Sequence, residues 1–230
     1  MKLRKNPAAF AGIMLALGLA ALGLRLELYR NGVDEKGLLI PGISLELIVW
    51  VVTGAACVLA ACSGGEPRQR RLPRLEALGE LLAAVGIAFA FPEGLRALST
   101  VLDSIRLGFS LAAAGGLAFG AVARLRGRKP SVLCYGVACL FFALNVVCCY
   151  RGWVSHPQLQ DYLFPLLGAL SMMAFAYLRC VPEKYRIRRA VGLMGGFLCL
   201  AAASKVVFWP MYLGCGLWML TNADAPGEPL

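Results

Sequence analysis

Histidine occurs once in the 230 residues, at His156, and the nine cysteines include no Cys-x-x-Cys pair. One imidazole cannot supply the two histidines of a His-Glu-x-x-His zinc site, and the cysteine spacing offers no thiolate cage for a metal. Neither a Gly-x-Ser-x-Gly elbow nor a phosphate-binding Walker loop is present, so no catalytic residue, metal site or cofactor is assigned. Charge is scarce as well, at 16% of residues with only 13 acids. Soluble domains carry about 25% charged residues, so an ordinary water-exposed globule is excluded.

What fills the chain instead is apolar. Hydrophobic residues make up 59% of it and the mean hydropathy is +0.70. Candidate apolar spans stand at Pro7 to Leu24, Leu47 to Gly65, Ala77 to Pro92, Leu107 to Ala123, Ser131 to Tyr150 and Tyr162 to Leu178. Runs of this kind cross a hydrocarbon core about 30 Å thick as helices. The expected fold is all-α, a polytopic transmembrane helical bundle. Residues 1–222 form a single integral membrane domain, and 223–230 a short polar tail.

The third run is the shortest, with 12 uncharged residues between Glu80 and Glu93. Placing Glu80 one turn inside the boundary, with its carboxylate reaching the headgroups, restores a helix of adequate length. The last apolar region, Ala190 to Ala223, is interrupted only by Lys205. Two short helices turning near Lys205 to Trp209 fit it better than one long kinked helix, because Pro210 can open a helix and Trp209 and Tyr212 suit an interface. Eight spans are therefore preferred to seven.

The net charge of +10 would suggest nucleic acid in a soluble protein. Here 16 of the 23 Lys and Arg fall in four clusters between apolar runs: around Lys2 to Lys5, Arg68 to Arg74, Arg124 to Lys129, and Arg179 to Arg189. Such clusters on alternate loops mark the cytoplasmic side. They place the N-terminus in the cytoplasm of a cell with a bacterial-type plasma membrane. The partners expected are the lipid bilayer and its anionic headgroups at the basic loops, not nucleic acid.

Two processing readings compete with this threading. Lys2, Arg4 and Lys5 before an apolar run resemble a signal peptide, but 18 apolar residues are long for its hydrophobic region. Leu59-Ala60-Ala61-Cys62 resembles a lipoprotein cleavage site, yet Cys62 follows a complete span and precedes Arg68 to Arg74, on the wrong side for a lipid anchor. Cys62 is instead expected to pack near the cytoplasmic end of the second helix.

The cytoplasmic loops, roughly 5 to 12 residues long, are too short for a soluble catalytic domain. Function then rests on the bundle or its outer loops. Ionisable and amide groups at membrane depth are costly and mark cavities or pathways. Glu46, Asp103, Arg106, Asn145 and Lys205 lie toward the outer side and form the candidate ligand-binding set. Asp103 and Arg106 stand three apart and can pair on one helix face. These residues suggest a small transporter-like or ligand-sensing bundle with an outward-facing polar pocket for a small molecule. The alternatives are a membrane-embedded enzyme acting at the outer leaflet on a lipid or thiol through Cys149, His156 and Asp161, or a non-catalytic scaffold subunit. Gly116-x-x-x-Gly120 and Gly192-x-x-x-Gly196 are expected to let helices approach within the bundle.

Overall fold

A computed structural model describes residues 7–31, 45–63, 73–96, 100–155, 159–181, 184–204 and 208–225. These residues form eight helices: α1 Pro7–Asn31, α2 Leu45–Cys62, α3 Pro73–Arg96, α4 Val101–Leu125, α5 Val132–Ser155, α6 Leu159–Cys180, α7 Tyr185–Ala202 and α8 Trp209–Asn222. The first six are long and apolar enough to cross a membrane. The final apolar region divides into two helices, with Pro210 in the first turn of α8.

Most helices outrun the uncharged stretches that predict them. α3 begins at Pro73 and carries Glu76 and Glu80 in its first two turns. α4 begins at Val101 because Thr100 caps it. The Thr100 hydroxyl accepts from the Asp103 amide at 3.3 Å, and the Asp103 carboxylate accepts from the Thr100 amide at 3.0 Å. This reciprocal box satisfies two donors that a helix start otherwise leaves unbonded. α2 stops where the Ser63 hydroxyl donates to the Ala60 carbonyl at 2.6 Å. Cys62 in that last turn is exposed rather than packed, and so is Cys57. The buried cysteines are Cys134, Cys199 and Cys215.

Helices α3 to α8 form a closed ring in which each packs on the next and α8 returns to α3. α1 lies against α7, and α2 packs on α1 and α7. Trp218 of α8 fills the centre, stacked on Phe142 of α5 with ring centroids 6.3 Å apart and edge-on to Phe175 of α6 at 5.0 Å. Offset and edge-on aromatic pairs of this kind add to simple burial.

Glycine sets how closely α8 approaches its neighbours. A Cβ on Gly86 would lie 2.3 Å from the Pro210 carbonyl oxygen, and one on Gly214 would lie 2.3 Å from that of Leu82. No side chain fits between those backbones. Gly192 faces Phe175 of α6 and Ala223 just after α8, Gly196 faces Leu220 of α8, and Gly116 faces the Cys134 backbone. Both small-residue motifs thus serve contacts within the bundle.

α8 has 14 residues and rises about 21 Å at 1.5 Å per residue. That is less than a hydrocarbon core of about 30 Å. Its burial against α3 and α7 explains how a short helix is held: it meets protein on most faces rather than lipid.

Candidate functional site

The antiparallel ring brings the helix ends into two polar layers. At one end lie the start of α4, the late turns of α3 and α5, and the start of α8. A cleft opens between them, walled by Ile87 and Phe91 of α3, Phe141 of α5, and Phe208 and Met211 beside α8. Three polar side chains line it: Arg106 and Ser110 of α4 and Asn145 of α5. The cleft is narrow and open at its mouth.

Arg106 follows the α4 cap by two turns of backbone geometry that Asp103 fixes. Its Nη2 lies 3.7 Å from Asp103 Oδ1, with the two side chains 12% and 15% exposed. The guanidinium also sits over the Phe208 ring, 4.8 Å from its centroid. Asp103 itself is mainly a capping residue: its other oxygen accepts from the Thr100 hydroxyl at 2.8 Å as well as from the Thr100 amide. Asn145 is 3% exposed and donates one amide hydrogen to the Phe141 carbonyl at 3.0 Å. Its other polar positions have no partner among the described residues. Ser110 donates to the Leu107 carbonyl at 2.6 Å, which leaves its oxygen able to accept.

The structure therefore gathers Asp103, Arg106 and Asn145 of the five expected ligand residues. Glu46 stands on α2, which packs on α1 and α7 and not on the helices that wall the cleft; its carboxylate accepts from the Trp50 indole at 3.4 Å. Lys205 lies outside the described residues, as does His156 of the enzyme alternative. The Cys149 thiol is 3.6 Å from the Tyr212 hydroxyl, which donates to the Pro165 carbonyl at 3.0 Å inside the bundle. Arg25 occupies a separate corner, bonded to Ser204 at 3.1 Å and lying over Phe164.

The opposite layer holds a network that the sequence reading missed. Arg124 Nη1 donates to Glu76 at 2.8 Å, its Nε to Glu80 at 3.0 Å, and its Nη2 to the Tyr135 hydroxyl at 2.8 Å. Tyr135 in turn donates to Glu80 at 2.5 Å and accepts from Arg179 at 3.3 Å. One hydrogen-bonded cluster thus joins α3, α4, α5 and α6. Glu80 is 0% exposed, so the expectation that it reaches the headgroups is corrected. Arg124 and Arg179, expected in cytoplasmic loops, are buried as well, and so are Arg188 and Arg189.

Ion pairing explains the reversal. Taking a carboxylate out of water costs several kcal/mol, and good geometry with further hydrogen bonds offsets it. A faint signal existed: Glu76 and Glu80 stand four apart on one helix face, and Arg124 and Arg179 are each the first base after an uncharged run. Beyond this layer, Asp224 lies 2.9 Å from Arg189 Nε and accepts from Tyr185 at 3.0 Å. The first residues expected as a free polar tail are thereby held against α7.

Compared with protein-family models, with curated proteins and with solved structures, the chain matches none. The cleft offers one cation, one amide and one hydroxyl oxygen in apolar walls.

Proposed function

We propose that this is a multi-pass plasma-membrane protein of bacterial type with eight spans, a cytoplasmic N-terminus and basic cytoplasmic loops facing anionic headgroups. Its role is that of a small transporter-like or ligand-sensing bundle, whose ligand reaches the cleft from the outer side. The observation that carries this reading is the convergence of Arg106 and Asn145 on one cleft, 39 residues apart in the chain, at the end opposite the basic loops. A polar pair at membrane depth that faces a cavity is the arrangement expected of a binding site.

The other end supports the same direction of access. The four-helix network seals it, whereas the cleft end leaves space between the same helices α3, α4 and α5. The break between α7 and α8 supports eight spans, and with eight the C-terminus returns to the cytoplasm.

Thermal unfolding of the purified protein in detergent, run against a small-molecule collection, tests the reading. A ligand that stabilises the wild type is expected to lose that effect in both Arg106→Gln and Asn145→Leu. A ligand that stabilises all three proteins equally would move the site elsewhere.

A further inference from the structure

The geometry points to a small organic anion with an apolar body as the class of ligand this cleft takes, an assignment that rests on the reading of the cleft as the binding site. Arg106 is the only ionisable residue among the described residues that line the cleft. It meets its neighbouring carboxylate at one long contact of 3.7 Å. Asp103 is held outside the walls by three bonds to the Thr100 cap. A guanidinium has five N–H donors in a planar fork, so Arg106 keeps donors beyond those toward Asp103 and Cys148 for a carboxylate-like group, which such a fork binds in two-point fashion.

Helix ends do not set the sign of the site. The start of α8, which has no side-chain cap, and the last turns of α3 at Gly94 face the same space. Their dipoles oppose each other, so the fixed charge of Arg106 decides. A cationic ligand would have to approach that charge, and the face of Phe208 that could hold a cation is already covered by Arg106.

Asn145 supplies the second recognition point. It is 3% exposed, it lines the cleft, and its amide has donor and acceptor capacity left over among the described residues. A buried polar group with unused bonding capacity favours a ligand that satisfies it. Ile87, Phe91, Phe141 and Met211 provide the apolar remainder, and the narrowness of the cleft limits the ligand to a compact molecule.

The test uses three probes on one carbon skeleton with the full-length protein in detergent: benzoate, benzamide and benzylamine. Benzoate is expected to bind at least roughly tenfold more tightly than benzamide, the range of a charge-assisted hydrogen bond, and benzylamine more weakly than either. Arg106→Gln should bring benzoate down to the level of benzamide, while Arg106→Lys, which keeps the charge and loses the fork, should retain part of the preference. Asn145→Leu should weaken benzoate and benzamide together. Benzylamine binding as tightly as benzoate, or no binding by any of the three, would overturn the anion class. Benzoate binding unchanged in both Arg106→Gln and Asn145→Leu would instead overturn the cleft as the site.

Discussion

At the sealed end of the ring, Arg124 makes three hydrogen bonds of 2.8 to 3.0 Å to side chains on two other helices. At the cleft end, Arg106 makes one ion pair, at 3.7 Å, to a residue on its own helix, and lies over the Phe208 ring. Both arginines lie near the ends of α4, and both have carboxylates at hand. The difference is where the carboxylates come from. Glu76 and Glu80 belong to α3, so pairing them with Arg124 binds helices together. Asp103 belongs to α4 and also caps it, so Arg106 lines the cleft with only a long ion pair to a carboxylate. A charge paired with carboxylates across helices holds the fold, and one whose only ion pair runs along its own helix keeps donors for a ligand.

The largest test of this contrast is Arg124→Ala. It strands two buried carboxylates and is expected to cost about 3 to 5 kcal/mol, or to prevent folding, as measured by unfolding in detergent. Glycine substitutions give the next step. Gly79→Ala places a Cβ 2.0 Å from the Thr221 hydroxyl and 3.1 Å from the Trp218 backbone. That overpacking should cost about 1 to 3 kcal/mol. Gly94→Ala at the cleft end meets only the tip of Leu107, at 2.8 Å, which can turn aside. It should cost less than Gly79→Ala in the same unfolding measurement.

Thr100→Ala removes the α4 cap and should cost about 1 kcal/mol. It also frees the Asp103 carboxylate to pair more closely with Arg106, so it should weaken benzoate binding. Arg106→Gln should have the smallest effect on stability, because its one ion pair, at 3.7 Å, is longer than the contacts of Arg124 and stays within its own helix. If Arg106→Gln destabilised the fold as much as Arg124→Ala, the contrast between the two ends would fail.

Much of this arrangement is legible in the residues, and the rest fails for a common reason. The turn between α7 and α8 follows from Pro210 and the interface-type Trp209, and the Asp103–Arg106 contact from a spacing of three on a helix. Those are local signals. Helix ends are longer than the uncharged runs because residues such as Glu76, Glu80 and Arg124 find partners instead of ending the helix. Their partners come from other helices, and hydropathy carries no information on which helices touch. Glu46 shows the same limit: its place near the start of an apolar helix is readable from the sequence, but not that α2 stands outside the ring. Cys62 fits the pattern from the other side, since its place at the end of α2 was readable and its outward direction was not.

The central claim is that the cleft opens to the outside and the sealed basic end to the cytoplasm. Single cysteines at Ser110→Cys in the cleft and Arg128→Cys in the exposed basic loop, in a chain whose native cysteines are replaced, test it with a membrane-impermeant anionic thiosulfonate. Ser110→Cys is expected to react in intact cells, and Arg128→Cys only after the membrane is permeabilised. Reaction of Arg128→Cys in intact cells, with Ser110→Cys protected, would contradict the account.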